Sequence, residues 1–166
     1  MLDVQKFLID GSILIAAFTA LVFYVGLYKP RLFLTKQDTP ADILAAVPPQ
    51  TEAEKREAKL LAIPLLLIMV GGVFYSTYTF ALQSGASFGT LFLHAAILVL
   101  AISLFDLVVI DWLVLNTITP QWTVFPGTEG FAGYKDYGFH GRAHLKALPG
   151  LAIAAALLAG LAYWLA

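Results

Sequence analysis

The chain of 166 residues contains no cysteine, so disulfide bonds, thiolate metal ligands and cysteine nucleophiles are excluded. Charged residues are also scarce, at 13% against about 25% in an average soluble domain. The formal net charge is only −1, which gives no reason to expect nucleic acid as a partner. What the chain has in excess is apolar residues, at 60%, and its mean hydropathy of +0.81 is typical of a membrane protein.

Four apolar stretches have about the length needed to cross a bilayer, which takes about 20 residues as an α-helix. They are residues 11–28, 60–82, 89–116 and 147–166. The first does not resemble a signal peptide, because the segment before it holds one lysine against two aspartates and lacks a positive leading region. The predicted fold class is therefore all-α: a single integral membrane domain, residues 1–166, built as a four-helix transmembrane bundle whose partner is the lipid bilayer.

The placement of lysine and arginine predicts an orientation. One basic residue precedes the first stretch, and the others lie in the two long loops: Lys29, Arg31, Lys36, Lys55, Arg56 and Lys59 in the first, and Lys135, Arg142 and Lys146 in the second. Cytoplasmic loops carry the excess of such residues. We therefore expect both long loops in the cytoplasm and both termini outside, in a bacterial plasma (inner) membrane.

Both loops contain signals for local structure. Thr51 and Glu54 have the spacing of a capping box, which predicts a helix that starts at Glu52 and continues through the second stretch. Pro64 is expected to bend that helix. The second loop, residues 117–146, is rich in aromatic residues, whereas disordered linkers are poor in them. We therefore expect this loop to be ordered.

Two aspartates stand inside the third apolar stretch. A carboxylate in hydrocarbon costs roughly 2.5–3.5 kcal/mol by insertion scales, and acids placed there commonly serve proton, ion or ligand sites. Asp106 is interpreted either as such a site or as a buried carboxyl that bonds to a tyrosine or serine. Asp111 lies nearer the cytoplasmic end, where Arg142, Lys146 or a histidine could pair with it. On an α-helix five residues turn through about 140°, so the two aspartates should face different neighbours.

Asp136, His140 and His144 form the pattern D-x3-H-x3-H. On a continuous helix these side chains share one stripe, and imidazole with carboxylate suits zinc, copper or iron. Asp111 could supply a fourth ligand from the end of the third helix. Glycines at two intervening positions make a regular helix doubtful, and the alternative is an interfacial belt of aromatic residues with basic anchors.

Polar residues also occur toward the outer ends of the stretches. Tyr75 and Tyr78 are interpreted either as lining a cavity that reaches Asp106 or as an aromatic belt with hydroxyls that bond across helices. His94 lies about 18 Å from Asp106 along an α-helix and is interpreted as a hydrogen-bonded structural group.

Small residues recur every four positions in the fourth stretch, at Ala152, Ala156 and Gly160. This stripe predicts close helix packing. Its partner is another helix of the chain, a second copy in a homo-oligomer, or another membrane protein.

Three functional interpretations follow. The leading one is a small polytopic membrane protein that binds a small molecule, an ion or a proton between the third helix and the 117–146 loop. The residues of that site are Asp106, Asp111, His140 and His144. The second is a membrane-embedded metalloenzyme that acts on a lipid-like substrate, with the D-x3-H-x3-H residues as ligands. The third is a structural or accessory subunit of a membrane complex.

Overall fold

A computed structural model describes residues 2–166, and within them the chain is all-helical, with 82% of residues in helices and no strands. In chain order the helices are α1 (Val4–Tyr28), α2 (Ala41–Ala46), α3 (Glu52–Ser84), α4 (Phe88–Ile118) and α5 (Tyr137–Leu165). All except α2 are long and apolar enough to cross a membrane. The four long apolar helices predicted from the sequence are confirmed.

The start of α3 is the predicted capping box. The backbone N–H of Thr51 donates to Oε2 of Glu54 at 2.7 Å, and the N–H of Glu54 donates to Oγ1 of Thr51 at 3.2 Å. These reciprocal bonds satisfy donors that the first turn leaves without helical partners. The helix continues past Pro64, and its hydrogen bonding becomes π-helical over Leu67–Gly72, just after the turn in which proline removes an N–H donor.

Helix α4 also changes its hydrogen bonding, and over a longer segment. It is α-helical over Phe88–Phe105 and π-helical over Asp106–Ile118. At its end the N–H of Thr119 still donates to the carbonyl oxygen of Val114 at 2.9 Å, five residues back. The change of hydrogen bonding begins at Asp106, the first of the two aspartates in this apolar helix. This position matters because π-helical segments are rare and often occur at functional sites.

The chain divides into two compact units. Unit 1 contains the described residues up to Phe18 together with Pro64–Leu104 and Lys146–Ala166, and unit 2 contains Thr19–Ile63 and Phe105–Leu145. Each long helix contributes residues to both units.

Unit 1 has a hydrophobic core to which all four long helices contribute, through Leu14, Val73, Leu98 and Ala155. The last three of these side chains are completely buried. A Cβ atom at Gly72 would overlap the side chain of Leu14. Glycine at this position therefore lets α1 and α3 approach each other closely, as small residues do between membrane helices.

The small residues of α5 lie on more than one face. The completely buried ones are Ala155, Ala159 and Ala162. Of the predicted stripe, Ala152 is exposed, while Ala156 and Gly160 are half-buried. The stripe therefore lies beside the face that packs in unit 1, and its use by a second copy or another protein stays a prediction.

In unit 2 the end of α4 is capped by a lysine. The ammonium group of Lys135 donates to the carbonyl oxygens of Asn116 at 2.7 Å and Thr117 at 3.1 Å, and to the hydroxyl of Thr119 at 2.7 Å. The last carbonyls of a helix have no helical partner, and a cation there also favours the helix dipole. These bonds tie the segment before α5 to the end of α4.

The same segment contacts the first long loop at a glycine. The backbone N–H of Gly133 donates to Oδ2 of Asp42 at 2.9 Å. A Cβ atom at this position would overlap Oδ1 of Asp42 and lie 2.8 Å from Cβ of Pro40. Glycine, which has no Cβ atom, is therefore needed at position 133 for this contact.

Helix α5 begins earlier than the apolar stretch suggests, at Tyr137. Oδ1 of Asp136 accepts the N–H of Phe139 at 2.9 Å, which is the hydrogen bond of an N-cap. The glycines after it do not interrupt the helix, contrary to the doubt that their presence raised. Each glycine costs only about 1 kcal/mol relative to alanine, which capping and packing offset.

Candidate cation site

Four of the predicted site residues meet in unit 2: Asp106 and Asp111 from α4, and His140 and His144 from α5. Oδ2 of Asp111 lies 3.3 Å from Nδ1 of His140 and 3.2 Å from Nε2 of His144. Oδ2 of Asp106 lies 3.6 Å from the same Nε2 of His144. Both histidines belong to helix α5 rather than to a loop, so two helices form the cluster.

The π-helical segment explains how both aspartates reach one histidine. Its hydrogen bonds join residue i to residue i+5, so residues five apart, such as Asp106 and Asp111, stand one turn apart on the same face. The prediction that they serve different neighbours is wrong, because it assumed an α-helix. Both carboxylates approach His144.

Helix α5 presents its histidines four residues apart, which is one turn of an α-helix. Its first residue is held against α4 by two hydrogen bonds. The indole N–H of Trp112 donates to the carbonyl oxygen of Tyr137 at 3.1 Å, and the hydroxyls of Tyr137 and Thr117 lie 2.9 Å apart. Because Trp112 follows Asp111 directly, these bonds fix where the histidines lie along the helix axis relative to the carboxylate of Asp111.

The cluster is largely removed from solvent. Side-chain exposure is 10% for Asp111, 12% for His140, 19% for His144 and 25% for Asp106. Within residues 2–166, the basic side chains that contact both aspartates are histidines. The two carboxyl groups thus lie against imidazoles rather than against lysine or arginine.

Three of these side chains are close enough to hold one metal ion. A donor atom from each of Asp106, Asp111 and His144 lies within 4.8 Å of the others. His140 approaches the cluster through Asp111, so it is placed to orient that carboxylate.

Asp38, in the first long loop, interacts with the cluster through charge, which sequence reasoning missed. Its side chain is exposed, and the hydroxyl of Thr35 donates to its Oδ2 at 2.6 Å. Desolvation raises the pKa of this carboxyl above its ordinary value and the charge of Asp111 adds to the rise, while the hydrogen bond from Thr35 and the charge of His140 lower it. A lone acid in a loop gives no sequence signal for such an interaction.

Asp136 lies apart from the cluster. Its Oδ1 accepts the N–H of Phe139, and its Oδ2 lies 3.4 Å from the guanidinium of Arg142. The D-x3-H-x3-H pattern therefore combines a helix cap, at Asp136, with two histidines that face the aspartates of α4.

Tyr75 and Tyr78 belong to unit 1, whereas the cluster lies in unit 2. Tyr75 is 68% exposed. The ring of Tyr78 stacks on that of Phe74, with centroids 5.7 Å apart. That they line a cavity reaching Asp106 stays a prediction.

His94 is completely buried in unit 1 and ends a chain of polar contacts. Its Nε2 lies 2.9 Å from the hydroxyl of Ser76, which donates to Oδ2 of Asp10 at 2.6 Å, and Lys6 pairs with that carboxylate at 2.8 Å. The hydrogen-bonded histidine expected from the sequence is confirmed. Its partners come from two other helices, which a single apolar stretch cannot reveal.

No family model, no curated protein and no solved structure matches this chain. The function is therefore argued from its residues and their geometry.

Proposed function

We propose that this chain is an integral membrane protein that crosses the bilayer with α1, α3, α4 and α5, and that it binds a cation in unit 2. Support for the membrane comes from helices of 25, 33, 31 and 29 residues. Large apolar side chains on all four also point outward: Ile13 is 61% exposed, Leu67 66%, Leu104 58% and Leu157 69%. Such surfaces are costly in water and suit lipid.

The proposed orientation places both long loops in the cytoplasm, because they hold nearly all of the lysine and arginine. The proposed order of the second loop is supported by the Lys135 cap on α4 and by the contact between Gly133 and Asp42. Both features restrain the chain immediately before α5, and so they help to hold its histidines in place.

One observation carries the proposed cation site: two largely buried carboxyl groups converge on the same imidazole. Charges taken out of water need a partner of opposite sign, and acids inside membrane helices commonly mark sites for ions or protons. A cation supplies that partner. It is either a proton taken up by the histidines or a metal ion bound between the side chains.

The chain has three histidines, so histidine labelled with a heavy isotope gives a spectrum that resolves the site. We expect the ring signals of His140 and His144 to respond to acid or to Zn²⁺. Asp111→Asn should change that response, because it removes the carboxylate that both rings contact. His94 lies in unit 1, and its ring signal shows whether that unit is folded in each variant.

Asp136→Asn is the matched control, since it alters another carboxylate beside α5 and asparagine can still cap the helix. It should respond as the wild type does. The proposal is wrong if His140 and His144 respond to neither cation, or if their response is the same in Asp111→Asn as in the wild type.

A further inference from the structure

We infer that the cation is a divalent first-row transition-metal ion, held by Asp106, Asp111 and His144, with His140 orienting Asp111. This inference rests on the proposed function and names the ligand of that same site. It is argued from distances, from charge and from the chemistry of the donor atoms.

The distances fit one ion. Metal–ligand bonds of about 2.0–2.1 Å place two donors of a tetrahedral site about 3.3 Å apart. Nε2 of His144 lies 3.2 Å from Oδ2 of Asp111 and 3.6 Å from Oδ2 of Asp106. Two of the three donor–donor distances thus match the spacing of ligands around one ion, and the third, between the two carboxylates, is within 4.8 Å.

A divalent ion suits the charge of the two carboxyl groups. When both are ionised they carry two negative charges, and a divalent cation balances both while the imidazoles remain neutral.

The donor atoms favour a transition metal over magnesium or calcium. Those two ions take oxygen ligands, whereas imidazole nitrogen suits zinc, copper, iron and nickel. His144 provides such a nitrogen directly between the two carboxylates.

His140 has a different role. Its Nδ1 lies 3.3 Å from the same Oδ2 of Asp111 that faces His144. Groups that contact a carboxylate ligand help to orient it, and the loss of such a partner lowers metal affinity by about 10- to 100-fold. His140 is therefore a positioning residue.

Three protein ligands leave part of the coordination sphere of the ion open. Structural zinc sites are closed by four protein ligands, whereas sites with three keep a position for water or a substrate. The geometry points to a metal centre of this open kind.

The inference is tested by loading the purified, chelator-treated protein with Co²⁺, Zn²⁺, Mg²⁺ or Ca²⁺ and measuring stoichiometry and affinity. We expect one Co²⁺ or Zn²⁺ per chain, with a cobalt absorption spectrum in the visible range, and much weaker binding of Mg²⁺ and Ca²⁺. His140→Gln should weaken binding by about 10- to 100-fold. Asp106→Asn, Asp111→Asn and His144→Gln should each weaken it further than that.

Asp136→Asn should bind metal as the wild type does, and the His94 signal shows whether unit 1 of each variant is folded. The inference is overturned if no stoichiometric transition metal binds, if Mg²⁺ or Ca²⁺ binds as tightly, or if binding survives Asp111→Asn. If no metal binds but acid still shifts the ring signals of His140 and His144, and Asp111→Asn changes that shift, the proposed function stands and this inference fails. If neither cation is bound, both fail.

Discussion

Zinc should raise the stability of the wild-type protein by about 4 kcal/mol at a free concentration about a thousand times its Kd. The reason is that the three ligands, Asp106, Asp111 and His144, come together only in the folded chain, so the ion binds the folded state preferentially. Asp111→Asn removes the ligand closest to His144 and should abolish the zinc-dependent rise. Thermal unfolding in detergent, with and without zinc, measures the effect.

Asp136→Asn is the control for this experiment, because Asp136 caps α5 and lies outside the cluster. It should keep the full zinc-dependent rise in Tm. A wild type that zinc does not stabilise would contradict the prediction. So would an Asp111→Asn variant that zinc stabilises as much as it does the wild type.

Exchanging two adjacent residues, by Ile110→Asp together with Asp111→Ile, should abolish metal binding. Adjacent side chains of a helix point in different directions around its axis. The exchange therefore carries the carboxylate away from His140 and His144, which it contacts at position 111. It also places a charge where Ile110 is 3% exposed, which should cost about 3 kcal/mol or more.

Metal affinity measures the loss of the ligand, and thermal unfolding measures the loss of stability. Ile110→Val is the control, because it disturbs packing at this position without adding a charge. The His94 signal shows whether unit 1 remains folded. An exchanged variant that binds metal as tightly as the wild type would contradict the role of Asp111 as a ligand.

The sequence predicts the four long helices because each requires only a sustained apolar stretch, which is a local property. The capping box of α3 is local as well, since Thr51 and Glu54 bond to each other. The sequence does not predict the start of α5 at Tyr137, because the apolar stretch begins only at residue 147 and two glycines make a regular helix over the histidines doubtful. Aspartate is a frequent N-cap residue, and capping is the role in which the structure places Asp136.

The sequence indicates which residues form the site better than it indicates how they are arranged. Acids inside an apolar helix and histidines four residues apart point to Asp106, Asp111, His140 and His144. How they converge depends on the π-helical hydrogen bonding of α4, which residue patterns do not predict. The charge interaction of Asp38 with Asp111 and His140 depends on how a distant loop packs, which local patterns do not record.

The coordination of zinc in the loaded protein, measured by X-ray absorption, tests the metal site most directly. We predict one imidazole nitrogen and two carboxylate oxygens at about 2.0–2.2 Å from the ion, with the remaining positions filled by water. The imidazole should disappear from the spectrum in His144→Gln and persist in His140→Gln. A zinc environment without imidazole, or one that His144→Gln leaves unchanged, would contradict a metal centre held by Asp106, Asp111 and His144.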